Sequence, residues 1–300
     1  MRKVLVATVI TCLTLGLTAG AMAQPEISTS GAIEFILKGT SAEGQASGLF
    51  DKGDVLIDYN VTLTSGPWTA VVSPEFDIGG GALAECDAYM TYSAEAFTLT
   101  LDPTGIDNSI YDVEGAAGCP GIPSHAGLKL EVPFGSSFYL ILNNTADGED
   151  VVYNFAGGAD FSMGGIDLGV TFNSNGEETD TWYGSSYALK VGYALDALSF
   201  LVEYGAFSPS TDGLESGAGY YVEMGYSLAG GGAFTVSYTG VDENMNSADG
   251  TDRDAYSKIY AEYTMPIAEN VNLTFDVAST DDGSGGDTVT DWEGKIGISF

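Results

Sequence analysis

From Glu26 onward the chain repeats one unit: seven to thirteen residues of alternating apolar and polar character, then a turn. A period of two is what a strand shows when one face meets an apolar phase and the other meets water. The stretch Val55-Leu56-Ile57-Asp58-Tyr59-Asn60-Val61-Thr62-Leu63 shows it most cleanly, with odd positions apolar throughout and even positions polar from Asp58 onward. Read along the whole chain, the pattern predicts strands over residues 26–40, 53–64, 68–78, 82–92, 96–102, 126–133, 137–143 and 151–161. It continues with 165–173, 185–195, 198–206, 218–228, 233–240, 254–265, 270–278 and 288–300. That is sixteen strands, or fourteen if one weak pair is miscounted, and 82–92 is the least regular.

The links between these strands alternate in length. Short ones fall at Ser65-Gly66-Pro67, Ser93 to Glu95, Phe134 to Ser136, Ser162 to Gly164, Asp196-Ala197, Ala229 to Gly232 and Pro266 to Glu269. Every second link is short, and between them lie longer acidic or Gly-rich ones such as Ser174 to Gly184, Phe207 to Gly217, Val241 to Arg253 and Ser279 to Asp287. Short turns at one end and long loops at the other describe an all-β, antiparallel up-and-down barrel crossing a bilayer. Aromatic residues sort the same way. Trp68, Phe97, Phe138, Phe161, Tyr193, Phe200, Tyr226, Phe234, Tyr263 and Phe300 sit on apolar faces at the short-turn ends, and Tyr153, Phe172, Tyr187, Tyr204, Tyr220 and Tyr238 on the same faces at the long-loop ends. These are the two belts expected where a barrel wall meets two membrane interfaces. A soluble sandwich or secreted adhesin would alternate too, but has no reason to band its aromatics.

Composition narrows the setting. Residues 1–23 predict an export signal: Arg2 and Lys3, an apolar run from Val4 to about Leu17, and the small-residue triplet Ala21-Met22-Ala23, which has the form of a cleavage site. The mature chain then begins at Gln24 and forms one domain over 24–300. No other stretch approaches the ~18 apolar residues that a membrane helix needs. Nine Lys plus Arg stand against 42 Asp plus Glu, a formal net charge of −33, and a nucleic-acid partner is excluded because phosphate binding needs a basic surface. At 44% apolar residues, the chain is too hydrophobic for a disordered acidic segment. Of three cysteines Cys12 leaves with the leader, so Cys86 and Cys119 remain, either bonded or as two free thiols.

The chain ends Trp292-Glu293-Gly294-Lys295-Ile296-Gly297-Ile298-Ser299-Phe300, alternating up to a terminal aromatic. This segment resembles the closing strand of Gram-negative outer-membrane proteins, which implies that Phe300 is part of the signal read by the barrel-insertion machinery. In loop order the whole mature chain resembles the general bacterial porins, especially the alphaproteobacterial type. The resemblance implies a homotrimer in the outer membrane, surrounded by lipid and lipopolysaccharide. It also implies that the longest connection, Pro103 to His125, folds into the barrel as the third long loop, with Asp107, Asp112 and Glu114 as its acidic constriction residues. General porins commonly oppose that loop with wall arginines; here Arg253 is the one arginine of the mature part, so any opposing field is left to lysines.

Sixteen strands leave a water-filled lumen, whereas eight are filled by side chains. The expected function is therefore a channel for passive diffusion of small hydrophilic solutes and ions. Parity points Glu34, Asp58, Glu75, Asp77, Glu85, Asp87, Glu131, Asp160, Asp167, Glu203, Glu223, Glu262, Asp276, Asp291 and Glu293 inward, together with Lys38, Lys129, Lys190, Lys258 and Lys295. The lipid-facing band is then free of charge, as the ~2 to 4 kcal/mol cost of a midplane lysine demands. The carboxylate excess predicts cation selectivity. A substrate-selective channel is the alternative within transport, and a structural or adhesive surface barrel the alternative outside it. The latter would use Asp242 to Asp254 and Asp281 to Asp287 to bind Ca2+, a cation that takes many oxygen ligands, although neither stretch matches an EF-hand loop. No other cofactor is expected. Nor is an enzyme: His125, the one histidine, lies in a Gly/Pro-rich loop with no nucleophile placed by spacing.

Overall fold

A computed structural model describes residues 25–40, 52–77, 82–102, 127–133, 137–147, 150–174, 183–209, 216–242, 255–281, 283 and 288–300. They form sixteen strands. The first eight are β1 (Glu26–Thr40), β2 (Lys52–Ser65), β3 (Trp68–Asp77), β4 (Ala82–Ser93), β5 (Thr98–Asp102), β6 (Gly127–Pro133), β7 (Ser137–Asp147) and β8 (Asp150–Met163). The rest are β9 (Ile166–Ser174), β10 (Tyr183–Leu195), β11 (Leu198–Pro209), β12 (Gly217–Ser227), β13 (Ala233–Val241), β14 (Tyr256–Ala268), β15 (Val271–Asp281) and β16 (Val289–Ser299). Neighbours in sequence are neighbours in the sheet, and β1 pairs with β16 to close the barrel. Closure gives every strand two partners, so no edge of backbone N–H and C=O groups is left for a bilayer to leave unsatisfied. The expected leader, residues 1–23, lies outside the described residues.

Alternation of the links holds by position but fails in length at two places: residues 78–81 join β3 to β4 with no more chain than the short-turn link 94–97, and the β7–β8 link is shorter still. The apolar pattern ends β7 at residue 143 and begins β8 at 151, whereas pairing continues through Asn144↔Tyr153 to Asp147↔Asp150, leaving residues 148–149 as the connection. Backbone pairing needs no apolar side chain once two strands rise clear of lipid, so the ladder outlasts the hydrophobic pattern.

Three pairings carry register shifts: Glu75/Phe76 in β3 against β4, Tyr183/Ser185 in β10 against β11, and Pro266/Ala268 in β14 against β15. Each adjoins a proline. Pro74 precedes the first, Pro209 pairs with Tyr183, and Pro266 opens the third. Proline has no N–H to contribute to a ladder and is tolerated at bulges. The first shift accounts for the weak periodicity of 82–92.

Side chains alternate across the wall as the sequence expects. On β9, Ile166, Leu168, Val170 and Phe172 point out and are exposed, while Thr171 and Asn173 point in and are buried. At the short-turn end Tyr92 bridges Trp68 (ring centroids 4.8 Å) and Phe97 (5.9 Å), and Phe138 meets Phe161 edge-on at 5.6 Å. At the other end Tyr187 lies 6.4 Å from Tyr204, and Tyr220 stacks on Tyr238 at 5.8 Å. Tyr92 is the member of the lower belt that the sequence reading omits.

The closing seam is held at both ends by an aromatic ring over a glycine. At the short-turn end Gly31 and Phe300 exchange two backbone hydrogen bonds of 3.0 Å, and the Phe300 ring occupies the space that a Cβ on Gly31 would need. At the long-loop end Gly39 pairs with Trp292, and a Cβ on Gly39 would fall inside the indole ring. Gly39→Val should therefore displace Trp292 at a cost of about 1–3 kcal/mol. The expected readout is a lower temperature for conversion of the SDS-resistant folded band to the unfolded one, with a smaller loss in a Trp292→Ala background. Equal losses in both backgrounds would show that the ring does not matter.

Candidate functional site

The inner wall is where the charged side chains collect. Phe35 and Leu37 are exposed on the outer face of β1, so Glu34 and Lys38 turn inward. Register then sets what they meet: Lys38 stands opposite Glu293, and Ile36 opposite Lys295. Lys38 Nζ lies 3.3 Å from Glu293 Oε2, and Lys295 Nζ lies 3.2 Å from Glu34 Oε2 and 3.5 Å from Glu293 Oε1. Two lysines and two glutamates thus form a neutral quartet across the β1–β16 seam. Lys129 pairs likewise with Glu131 at 3.0 Å on β6. All six are residues that parity turns inward, and they pair with one another rather than standing as isolated charges.

Beyond the quartet the same face continues into β15 and β14. Glu293 stands opposite Asp276, and Asp276 opposite Glu262, which places three carboxylates side by side at about 5 Å Cβ spacing. Glu262 accepts hydrogen bonds from the Tyr260 hydroxyl at 2.8 Å and the Thr264 hydroxyl at 3.3 Å. Lys258 Nζ sits 5.4 Å from the Tyr260 ring centroid rather than on a carboxylate. On β12 the Tyr221 hydroxyl donates to Glu223, and on β7 the Tyr139 ring lies 5.3 Å from Lys129 Nζ. These inward tyrosines were not singled out in the sequence. The available signal was parity: Tyr221 and Tyr260 each stand two residues before an inward glutamate.

The inner wall is not uniform around its circumference. On β7 to β13 several inward side chains are buried, including Ile141 and Asn173 at 1% exposure, Thr239 at 1% and Tyr221 at 4%, while Asp160, Lys190 and Glu223 are half-buried and Ser162 and Asp167 exposed. Asn173 donates to Ser186 Oγ at 3.1 Å within this region. Glu203, opposite Lys190, is also inward but only 3% exposed, so it is not presented to lumen water. By contrast Lys38, Glu34, Glu293 and Lys295 are 46%, 28%, 20% and 30% exposed. At the short-turn ends of β8 to β11 a recess of about 340 Å³ is lined by Asp160, Ser162, Asp167 and Lys190 among others, and there Ser162 donates to Asp167.

Asp58 stands opposite Glu75, and Asp77 opposite Leu56, on the β2–β3 part of the wall. Cys86 stands opposite Pro74 on the outward face of β4 and forms no disulfide with a described residue; Cys119 lies outside the described residues. So do Asp107, Asp112, Glu114 and His125. Most of the two acidic stretches proposed for Ca2+ is outside them as well, and among the described residues no group of three or more His, Cys, Asp or Glu side chains is placed to hold a metal ion.

A closed sixteen-stranded antiparallel wall, apolar outside and charged inside, is the fold of the bacterial porins. Solved structures bear this out. A substituted form of Rh. blastica porin matches with a TM-score of 0.65 at 16% identity, over 92% of this chain and 100% of that one. Another form of Rhodopseudomonas blastica porin, a triple mutant, matches at 0.64 and 18% over the same shares. A structure described as showing asymmetric conductivity of engineered proteins matches at 0.65 and 17%, again over 92% and 100%. No family model and no curated protein matches the sequence.

Because the quartet couples the first strand to the last, Lys295→Met should weaken the seam by about 1 kcal/mol, the upper range for exposed pairs. A double-mutant cycle of Lys295→Met with Glu34→Gln, read by urea unfolding of the folded barrel, should give a positive coupling energy. Strict additivity would show that the pair contributes nothing to closure.

Proposed function

We propose that this chain is an outer-membrane porin of a Gram-negative bacterium. It forms a water-filled, cation-selective channel through which small hydrophilic solutes and ions diffuse passively. One observation carries the reading: the wall is a closed ring of sixteen strands that turns large apolar side chains outward and lysines and carboxylates inward. Such a wall is stable only with lipid outside, and sixteen strands enclose an aqueous passage. In this reading residues 1–23 direct export, Phe300 contributes to recognition by the insertion machinery, and the barrel sits as a homotrimer among lipid and lipopolysaccharide. No catalytic role is proposed.

Residues 103–125 are proposed to narrow the passage from within, with Asp107, Asp112 and Glu114 at the constriction. What supports this is the burial of inward side chains such as Ile141, Asn173 and Thr239, each 1% exposed, since such a side chain does not face an empty, water-filled lumen. Cation selectivity rests on the excess of inward carboxylates over lysines, because rings of Asp and Glu favour cations.

In planar bilayers under a KCl gradient, the reversal potential should favour K⁺, and the preference should shrink as salt rises and screens the fixed charge. Replacing Asp107, Asp112 and Glu114 together by Asn, Asn and Gln should reduce it. Anion preference in the wild-type channel would contradict the selectivity, and an unchanged potential in the triple variant would contradict the constriction.

A further inference from the structure

We propose that Glu262 and Asp276, on the wall formed by β14 and β15, are principal determinants of which ions pass. The inference rests on the channel reading and names wall residues that decide its selectivity.

Three observations lead to this pair. First, Glu262 and Asp276 are half-buried rather than sealed off on the arc from β14 round to β3, as are Glu34 and Glu293 beside them, whereas Ile141, Asn173 and Glu203 on β7 to β11 are 1–3% exposed. Second, two of the mid-height carboxylates on that arc are already neutralised, Glu34 and Glu293 by Lys295 and Lys38 at 3.2 to 3.5 Å. Third, no lysine lies within ion-pair distance of Glu262 or Asp276 among the described residues, although register sets them directly beside each other and beside Glu293.

Position strengthens the case. Glu262 and Asp276 lie near the middle of β14 (Tyr256–Ala268) and β15 (Val271–Asp281), away from the mouths, where a charge is screened within ~8 to 10 Å by salt. Asp160 and Asp167, near the short turns, and Asp291, near the long-loop end of β16, are in that weaker position. Asp58, at mid-height on β2, stands on the same arc and adds to the field. Tyr260 and Thr264 hold the Glu262 carboxylate by its two oxygens, so its charge is fixed in place. Two like charges directly opposite on a sheet destabilise it. The arrangement therefore costs stability, so the pair does not serve to hold the barrel together.

The test uses the full-length barrel in planar bilayers under a KCl gradient, comparing wild type with the double variant Glu262→Gln, Asp276→Asn. The K⁺/Cl⁻ permeability ratio should fall by roughly twofold, the effect of removing two charges close to a solvated path, while conductance persists. Relief of repulsion should raise the temperature at which the SDS-resistant band is lost, so the variant is expected to fold. Asp276→Asn alone provides a milder version that should lower the ratio in the same direction. The charge-keeping variant Glu262→Asp, Asp276→Glu should retain the wild-type ratio. An unchanged ratio in the conducting double variant would overturn the assignment. A folded wild-type barrel that passes no current would instead overturn the channel reading, and this inference with it.

Discussion

The structure depends on one obligation: every backbone N–H and C=O inside a bilayer must find a partner within the protein. A sheet meets that obligation only by closing, so the first strand has to find the last. Here β1 and β16 pair from Ala32↔Ser299 to Thr40↔Asp291, and Gly31 and Phe300 extend the seam by a reciprocal pair of hydrogen bonds. The remaining features follow from closure. Alternation becomes compulsory because one face of every strand meets lipid, and charge is confined to the other. The glycines at the seam, covered by Phe300 and Trp292, let the two strands meet without a gap where their join is least local in sequence.

Confining charge to the inside turns a constraint into a property. Lysines excluded from the outer wall have to sit among the lumen carboxylates, and register decides which are neutralised. Lys38 and Lys295 are taken up by Glu293 and Glu34 at the seam, where the ion pairs also tie the first strand to the last. Asp276 and Glu262, one and two strands further round, are left with their charge. Closure and the proposed ion preference thus involve the same few side chains, because a lysine paired at the seam is unavailable to offset the acids beside it.

Much of this was legible in the sequence because lipid and water impose a period of two, and each strand carries its own copy of that signal. All sixteen strands were placed within a few residues. The ends were less legible where the ladder rises above lipid, as at Asn144 to Asp147, since polar residues pair there without leaving a hydrophobic trace. The register shifts had a visible cause in Pro74, Pro209 and Pro266, but a proline marks where a ladder can slip without saying which partner slips. The seam quartet was not legible. Lys38 and Glu293 are neighbours only because the barrel closes, and parity gives a residue's face but not its opposite number. The burial of Ser186, Thr171 and Asn173 was equally out of reach, since small and polar residues like these look the same as any other lumen-facing positions.

A porin requires its lumen to be an open aqueous passage. Liposome swelling measures this directly, using vesicles that contain the SDS-resistant barrel and sugars of graded size. An open passage should give rapid swelling with small sugars, slowing steeply to none as solute size increases. Absence of swelling with even the smallest sugar, in vesicles shown to hold the folded barrel, would contradict it.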